Sequence, residues 1–496
     1  MPIDLNFTIA APLLALAAGT LLILLLDLLF KYERIHGALY FTAIGGILLS
    51  GFYLMPLWQV GRTAPPTGFN AFLVMDRFGV VFSGVLLVAA LLAAILSIAR
   101  PEEDRSGYLA LLLWGAMGMV TLAGAGNLMT IFLGLELLSL ALYVMVAFDP
   151  KHPQAREAAL KYFVLGSVAA AFLIFGFALI YGAVGTMSIA GIAKAAASFS
   201  TAGGFGAGLY YKVGLGLAIV GFAFKLALVP FHVWAPDVYQ GAPTPVTAYM
   251  SVGTKAAAFA AMARLLAAAV PAEYQAAILL PVSVLAAVSM VVGSSVGIWQ
   301  DDLKRLMAYS GIANAGYLIM AIPGLGLAGL SAAAYYLLAY GFTAMGIFAI
   351  VKLLEEEGEE GAKLATLTGL FYRRPGLAVA LALFMFGLTG LPPAGGFIGK
   401  FLLAMAAVNG QAWIVLTGLV LSTGISAYVY LRVVGTAFKK PAERAERAVM
   451  AGAQEVYGPA RTAAQVVLAI AVAGTLWLGL LPESALKLVT VAFGAY

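Results

Sequence analysis

The segment Phe222-Ala-Phe-Lys-Leu-Ala-Leu-Val-Pro230 places a lysine and a proline inside a long apolar run, and Leu391-Pro-Pro-Ala-Gly-Gly-Phe-Ile-Gly-Lys400 repeats that combination. A proline within a helix cannot donate to the carbonyl four residues earlier and clashes with it. Pro230 therefore frees the carbonyl of Leu226, and Pro392 and Pro393 free those of Leu388 and Thr389. Because bare backbone groups at membrane depth are tolerated only inside protein or beside water, both segments are predicted to be broken helices that line a cavity.

The composition predicts an all-α polytopic membrane protein. Of the 496 residues, 63% are hydrophobic and 10% are charged, whereas soluble domains average about 25% charged. Apolar runs long enough to span a bilayer give about fourteen transmembrane helices. The candidate spans are residues 10–30, 37–58, 78–99, 107–126, 127–148, 158–183, 209–240, 244–269, 275–299, 304–323, 327–354, 376–409, 411–437 and 465–481.

Several kinds of site are not expected on this chain. It contains no cysteine, which removes disulfides, cysteine-ligated zinc and cysteine-ligated iron–sulfur clusters. Of its three histidines, His36 and His152 fall in predicted loops, so a haem held by two histidines inside the membrane is not expected. The pair Gly399-Lys400 resembles the end of a phosphate-binding loop, but Ala394 and Phe401 break that pattern. We therefore expect no cofactor, metal, nucleotide or nucleic acid on this chain.

The two proline-containing segments also resemble each other. Phe222–Pro230 aligns without gaps with Phe384–Pro392. Five span positions separate them, and an odd offset reverses direction through the membrane. The match predicts two inverted five-helix repeats, spans 4–8 and 9–13, with broken helices at spans 7 and 12. The predicted units are residues 1–106, 107–270, 271–438 and 439–496.

The distribution of lysine and arginine predicts the orientation. Most of these residues lie in loops that follow odd-numbered spans, and such loops are expected on the cytoplasmic face. This arrangement puts both termini on the outer face of a bacterial inner membrane. It puts the basic cluster Lys439, Lys440, Arg444 and Arg447 on the cytoplasmic side.

Four ionisable residues lie within or beside the apolar runs: Glu136, Lys225, Lys255 and Lys400. A charge at bilayer depth costs at least ~2.5–3.5 kcal/mol on insertion-based scales. A structural carboxyl could stay neutral with one hydrogen bond, and a lysine near a span end could extend to the interface. The mid-span lysines are too far from either interface for that. Ions, protons above all, are therefore predicted to move past these residues.

Three further residues are weaker candidates for the same pathway. Lys161 lies near a span end, where it could also reach the interface. Lys304 follows Asp301-Asp302 and could be an interfacial anchor. His232 lies two residues after Pro230, where polar contacts are expected. The remaining charged residues are interpreted as structural or solvated: the pair Asp27 and Lys31, the anchors Arg264 and Arg432, and the acidic run Glu355, Glu356, Glu357, Glu359 and Glu360.

Paired acids and lysines suit proton relay. An aqueous lysine, with a pKa of ~10.4, holds its proton too tightly at neutral pH. Burial and a neighbouring carboxylate shift the pKa of a lysine in opposite directions. A contact between a glutamate and a lysine that forms and breaks would therefore switch the lysine between holding and releasing a proton.

Four stretches carry a family resemblance: Phe132-Leu-Gly-Leu-Glu-Leu-Leu-Ser139, Lys225 through Val246, Asp302-Leu-Lys-Arg-Leu-Met-Ala-Tyr-Ser310 and Leu391 through Phe401. With them, nearly the whole chain resembles the antiporter-like membrane subunits of respiratory complex I. It is more similar to the N type of subunit than to the paralogous M and L types, particularly at Tyr239-Gln-Gly-Ala-Pro-Thr-Pro245.

The resemblance implies residue roles. Glu136 looks like the family's conserved acid of span 5, paired with Lys225 on the broken helix. Lys255 resembles the lysine that links inward across the midplane, and Lys400 the terminal lysine of the second half-channel. Lys161 and Lys304 also match family lysines.

The resemblance further implies a proton-translocating subunit of NADH:quinone oxidoreductase. NADH, FMN, iron–sulfur clusters and quinone would belong to partner subunits. The neighbours would be M-like and K-like subunits and the lateral helix of an L-like subunit. Two other interpretations stay open: a self-standing cation/proton antiporter subunit of the Mrp type, and a structural subunit without transport.

Overall fold

The computed structural model describes residues 6–30, 32–61, 67–98, 105–149, 152–196, 207–270, 275–322, 327–356, 362–440 and 458–493. These residues form nineteen α-helices, one 3-10 helix over Leu364–Leu367 and a two-stranded hairpin in which β1 (Thr67–Gly68) pairs antiparallel with β2 (Leu73–Val74).

The helices of the first half, in chain order, are α1 (Phe7–Leu29), α2 (Tyr32–Val60), α3 (Arg77–Leu96), α4 (Arg105–Ala123), α5 (Leu128–Val146), α6 (Pro153–Val184), α7 (Ile189–Ala196), α8 (Ala207–Leu226), α9 (Trp234–Gly241) and α10 (Thr244–Ala269). Those of the second half are α11 (Gln275–Gly297), α12 (Leu303–Ile319), α13 (Leu327–Glu356), α14 (Leu370–Arg373), α15 (Pro375–Thr389), α16 (Gly395–Asn409), α17 (Trp413–Phe438), α18 (Pro459–Leu480) and α19 (Pro482–Phe493).

The predicted class, an all-α multi-pass membrane protein, is confirmed. Twelve helices of the described residues are long and apolar enough to cross a membrane. The other two predicted spans correspond to α12, which has 17 residues, and to the pair α15 and α16, which have 15 residues each. The sequence did not predict α7, α9 as a separate helix, α14, α19 or the hairpin.

Both predicted breaks are present, and both half-helices end in the same way. After α8, Ala227 adopts a left-handed conformation with φ of 58°, and the amide of Leu228 donates to the carbonyl of Ala223 over 2.8 Å. After α15, Gly390 has φ of 88°, and the amide of Leu391 donates to the carbonyl of Phe386 over 2.9 Å. This is the Schellman arrangement that satisfies the last carbonyls of a helix.

The structural register of the two breaks differs by one residue from the sequence alignment. The ungapped alignment sets Ala227 opposite Thr389, but the residue that closes the second half-helix is Gly390. Glycine adopts the left-handed conformation at least cost, so the helix runs one residue further and ends there.

Two long helices occupy the centre of the protein and join its halves. In the most apolar 18-residue stretch of α10, and likewise of α13, 83% is buried inside the protein. The two helices pack against each other. In the first half, α4 packs on α5 and α10. In the second half, α11 packs on α12 and α17. The inverted orientation of the two repeats and the unit boundaries at residues 106, 270 and 438 stay predictions.

Some sequence interpretations need correction or fall outside the described residues. Glu355 and Glu356 belong to the last turn of α13, and Glu355 accepts a hydrogen bond from the Thr244 hydroxyl over 2.6 Å, so they are not a solvated loop. Arg264 is no simple interfacial anchor, because its guanidinium makes two bonds to Asp76, at 2.7 and 2.9 Å. Outside the described residues lie Lys31, Glu357, Glu359, Glu360, Arg444 and Arg447.

Candidate functional site

Four of the predicted lysines are buried. The exposed fractions of Lys225, Lys255, Lys304 and Lys400 are 4%, 3%, 6% and 7%. Each ammonium lies beside a hydroxyl, a backbone carbonyl or an aromatic ring. A buried lysine without such partners would be very costly, so these contacts define the site.

Lys225 lies in the last turn of α8, inside a cage of aromatic rings. Its Nζ atom is 5.1 Å from the centre of the Tyr162 ring, 5.3 Å from that of Tyr143 and 5.8 Å from that of Phe224. It also donates to the Tyr143 hydroxyl over 3.5 Å. Ring faces attract a cation without holding it in a directional bond.

Glu136 lies on α5, two helical turns before Tyr143, and is partly buried. Its carboxylate interacts electrostatically with the ammonium of Lys225. Within the described residues, its buried Oε1 atom has no hydrogen-bond partner. The structure thus brings the predicted pair together, and Tyr143 lies on the same helix as the acid and against the lysine.

The short helix α9 follows the first break and contacts three lysine sites. At its start, the indole of Trp234 stacks on Tyr162 with ring centres 4.6 Å apart and donates to the carbonyl of Phe224 over 2.9 Å. At its end, the hydroxyl of Tyr239 accepts a hydrogen bond from Lys255 over 2.6 Å. The carbonyl of Ala242, just after it, accepts one from Lys304 over 2.6 Å.

Lys255 lies on α10, where α9, α12 and α13 meet. A Cβ atom added to Gly311 would lie 2.9 Å from Nζ of Lys255, so a larger residue at position 311 would displace the ammonium. The Tyr340 hydroxyl lies 3.5 Å from the position of that added Cβ atom. Among the described residues, this hydroxyl has no hydrogen-bond partner. Tyr340 stacks on Tyr336, with ring centres 6.5 Å apart, so aromatic side chains continue from Lys255 into the second half.

Lys304 is not an interfacial anchor. It is buried at the start of α12 and donates to the backbone after α9. Its ammonium interacts electrostatically with Glu355 and Asp302, which lie in the last turn of α13 and just before α12. It therefore belongs with the buried lysines.

Lys400 binds the backbone that the second break exposes. Its Nζ atom donates to the carbonyl of Leu388 over 2.8 Å and to that of Thr389 over 3.2 Å. It also lies 4.5 Å above the centre of the Tyr317 ring. These are the two carbonyls that the prolines at 392 and 393 were predicted to free.

A chain of hydroxyls and amides extends from Lys400 along α12. The Tyr317 hydroxyl contacts Ser422 Oγ at 2.6 Å, Asn314 donates to the carbonyl of Ser310 over 2.7 Å, and Ser310 Oγ lies 2.7 Å from the hydroxyl of Tyr430. The sequence analysis missed these residues. Their signal was the spacing of Ser310, Asn314 and Tyr317, which places three polar side chains on one face of α12.

Lys161 lies at the edge of the site, in an ion-pair cluster around Asp237. Its Nζ atom is 2.7 Å from an Asp237 oxygen and 2.8 Å from Glu157, and its side chain is 42% exposed. Arg305 binds the other Asp237 oxygen at 2.7 Å. The sequence analysis missed Asp237 as a site residue, although it lies within the stretch from Lys225 to Val246 that carries part of the resemblance. It joins α6, α9 and α12.

His232 does not join the lysine sites. It is half-buried in the first break and interacts with the backbone of Pro230. Across the described residues, no hydrogen bond joins its ring to Lys225, Lys255, Lys304 or Lys400, and its Nδ1 atom has no partner. The same part of the chain holds no cluster of three or more histidine, aspartate or glutamate residues that could hold a metal ion.

Comparison with known proteins decides the family. A family model described as "NADH:quinone oxidoreductase/Mrp antiporter, TM" matches residues 125–426. The chain is 70% identical over 494 residues, 99% of each chain, to "NADH-quinone oxidoreductase subunit N 1" of Symbiobacterium thermophilum. The chain belongs to the NADH-quinone oxidoreductase subunit N family. An N subunit of Trichlorobacter lovleyi is 38% identical over 97% of this chain and 96% of its own length.

Solved structures include a chain of respiratory complex I that is similar to this one. A chain of respiratory complex I from Thermus thermophilus is 35% identical and superposes with a TM-score of 0.77 over 96% of this chain and 98% of that one. A chain of the Mrp complex from Dietzia is similar in fold, with a TM-score of 0.82 over 99% of this chain and 97% of that one, at 22% identity. The resemblance predicted from the motifs is confirmed.

Proposed function

We propose that this chain is the proton-translocating N subunit of a NADH:quinone oxidoreductase and that its buried acid and lysines relay the protons. The observation that carries the proposal is the placement of Lys225 and Lys400. Each lies at the broken end of a half-helix, and each is buried against polar or aromatic partners. Paired helix breaks near the membrane centre are typical of transporter working sites.

The contacts suggest an order for the relay. Protons enter at the partly buried Glu136 and pass to Lys225, whose cage includes Tyr162. The stack of Trp234 on Tyr162 and the bond of Tyr239 to Lys255 connect the cage to the centre through α9. From Lys255, the buried polar groups of α12 and α13 lead to Lys400.

The energy for this transport would come from partner subunits. We expect NADH, FMN, iron–sulfur clusters and quinone on other chains, and M-like, K-like and lateral-helix neighbours around this one. We also expect the bacterial inner membrane as its location, with both termini outside. Lys161 and Lys304 complete the proposed site, with Lys161 at its exposed edge and Lys304 bonded after α9. His232 is proposed only as a polar group of the first break, separate from the lysines.

The test is proton pumping by the assembled complex in proteoliposomes. We expect Lys225→Ala to abolish NADH-driven acidification while the complex still assembles, because the span loses its titrating group. Lys212→Ala is the matched control, since Lys212 lies on the same helix with its side chain exposed. Unchanged pumping by the assembled Lys225→Ala complex would refute the proposal.

The second candidate is a self-standing Mrp-type antiporter subunit. The description of the matching family model covers both classes, and the fold is shared with the Mrp chain. Sodium-for-proton exchange by the purified chain alone in vesicles would favour this alternative. NADH-driven proton pumping by the assembled complex, without exchange by the chain alone, would favour the first. Full pumping by variants lacking the buried charges would favour a structural role.

A further inference from the structure

A large cleft lies between α15 and α18. Its volume is about 1160 Å³, and Leu353 of α13 forms part of its wall. The residues that line it include none of the buried lysines Lys225, Lys255, Lys304 and Lys400, which distinguishes it from the proposed proton pathway.

One end of the cleft is basic. Arg373 and Arg374 lie where α14 ends and α15 begins, and Arg461 lies in the first turn of α18. Gln465, one turn further along α18, adds an amide. Next to them, Tyr372 is 50% exposed, as tyrosines at the membrane–water interface commonly are. The guanidinium groups thus line the cleft at the expected level of lipid headgroups.

The rest of the cleft is apolar and about one leaflet deep. Leu377 and Leu383 of α15 line one wall, and Leu468 and Leu476 of α18 line the other. The twelve residues from Gln465 to Leu476 span ~16 Å of helix. Half of a bilayer's hydrocarbon core is ~15 Å. The depth of the cleft therefore matches the length of acyl chains that extend through one leaflet of the bilayer.

A second cleft in the described part of the chain lacks such a basic end. This cleft, of about 270 Å³ against α5 and α6, is lined by Leu128, Met129, Phe132, Ile174, Phe177, Ala178, Tyr181 and Met187, with no charged residue. It can contact acyl chains but offers nothing to a phosphate.

We propose that the cleft between α15 and α18 binds one phospholipid with an anionic headgroup. Guanidinium groups bind a phosphate with paired N–H donors. Three of them at one end of the cleft favour a headgroup with net negative charge over one whose phosphate is neutralised by its own ammonium group. The acyl chains would pack along α15, whose other end supplies the carbonyls that bind Lys400. The lipid would stabilise this 15-residue half-helix, which is too short to span a membrane by itself.

The experiment uses the assembled complex in phosphatidylcholine nanodiscs, titrated with phosphatidylglycerol. We expect phosphatidylglycerol to raise the thermal unfolding temperature saturably, and R374Q/R461Q to need a several-fold higher amount for half of the effect. The matched control is K439Q/K440Q, which removes the same charge from exposed residues outside the cleft. Mass spectrometry of the purified complexes should show one phosphatidylglycerol fewer in R374Q/R461Q alone.

Three results would overturn the proposal. Equal protection by inorganic phosphate would indicate an anion site without a lipid. Equal lipid responses of R374Q/R461Q and K439Q/K440Q would indicate general surface charge. A neighbouring subunit cross-linking into the cleft would indicate a protein interface. None of them depends on proton translocation, so the test is separate from that of the proposed function.

Discussion

The ammonium of Lys400 donates a hydrogen bond to the carbonyl of Leu388 over 2.8 Å, across the break between α15 and α16. Pro392 leaves this carbonyl without a partner within its helix, and a lysine from the next half-helix supplies one. The break and the buried charge thus compensate each other. Either feature alone would be costly in a membrane.

The first prediction concerns this compensation. Lys400→Met leaves the buried carbonyls of Leu388 and Thr389 without a donor from the lysine, and each unsatisfied buried group costs ~1–3 kcal/mol. We expect the assembled complex to unfold at a lower temperature and to lose proton pumping. Thermal unfolding and acidification assays measure the two effects separately. Full pumping with lowered stability would mean that Lys400 is structural only.

The second prediction concerns the ammonium of Lys255. In Gly311→Ala, the new methyl group would lie 2.9 Å from Nζ and displace it from the Tyr239 hydroxyl. Alanine favours a helix by ~1 kcal/mol over glycine, so general destabilisation is not expected. We predict reduced pumping in an assembled complex. Gly216→Ala, where nothing lies within 4 Å of the added atom, is the control. Equal pumping by the two variants would show that the bond from Lys255 to Tyr239 is dispensable.

The third prediction concerns the ion pairs that hold α9. Asp237→Asn weakens the contacts to Lys161 on α6 and Arg305 on α12. Because α9 also supplies Trp234 and Tyr239 to the buried lysines, we expect faster hydrogen exchange over α9 and partly reduced pumping. Glu157→Gln removes only the exposed partner of Lys161 and should change neither. Unaltered exchange over α9 in Asp237→Asn would contradict the positioning role.

The fourth prediction concerns the two helix ends. Ala227 has φ of 58°, a conformation that costs a residue with a Cβ atom roughly 1–2 kcal/mol. Ala227→Gly should therefore raise the unfolding temperature of the complex, although glycine loses more entropy on folding. Gly390→Ala should lower it, since its Cβ would also lie 2.9 Å from the Lys400 side chain. If the unfolding temperature shifted in the same direction in both variants, the proposal that α8 and α15 end in the same left-handed conformation would be contradicted.

Proline chemistry made the breaks and the carbonyl partners of Lys400 predictable, because the missing bond always falls four residues back. The burial of Lys225 and Lys255 was predictable from their distance to either end of a span. The cluster around Asp237 was not, since Lys161, Asp237 and Arg305 come from three helices far apart in the chain. The contact of Lys304 with Ala242 likewise depends on how α9 packs. Such pairings arise only from tertiary structure.

The most direct test of the central claim is the number of protons translocated per NADH oxidised by assembled complexes that carry Lys225→Ala, Lys255→Ala or Lys400→Ala one at a time. If a single path passes through all three ammonium groups, each variant should lower the ratio to the same value. Ratios that stay at the wild-type value, or that differ widely among the three, would contradict a common relay.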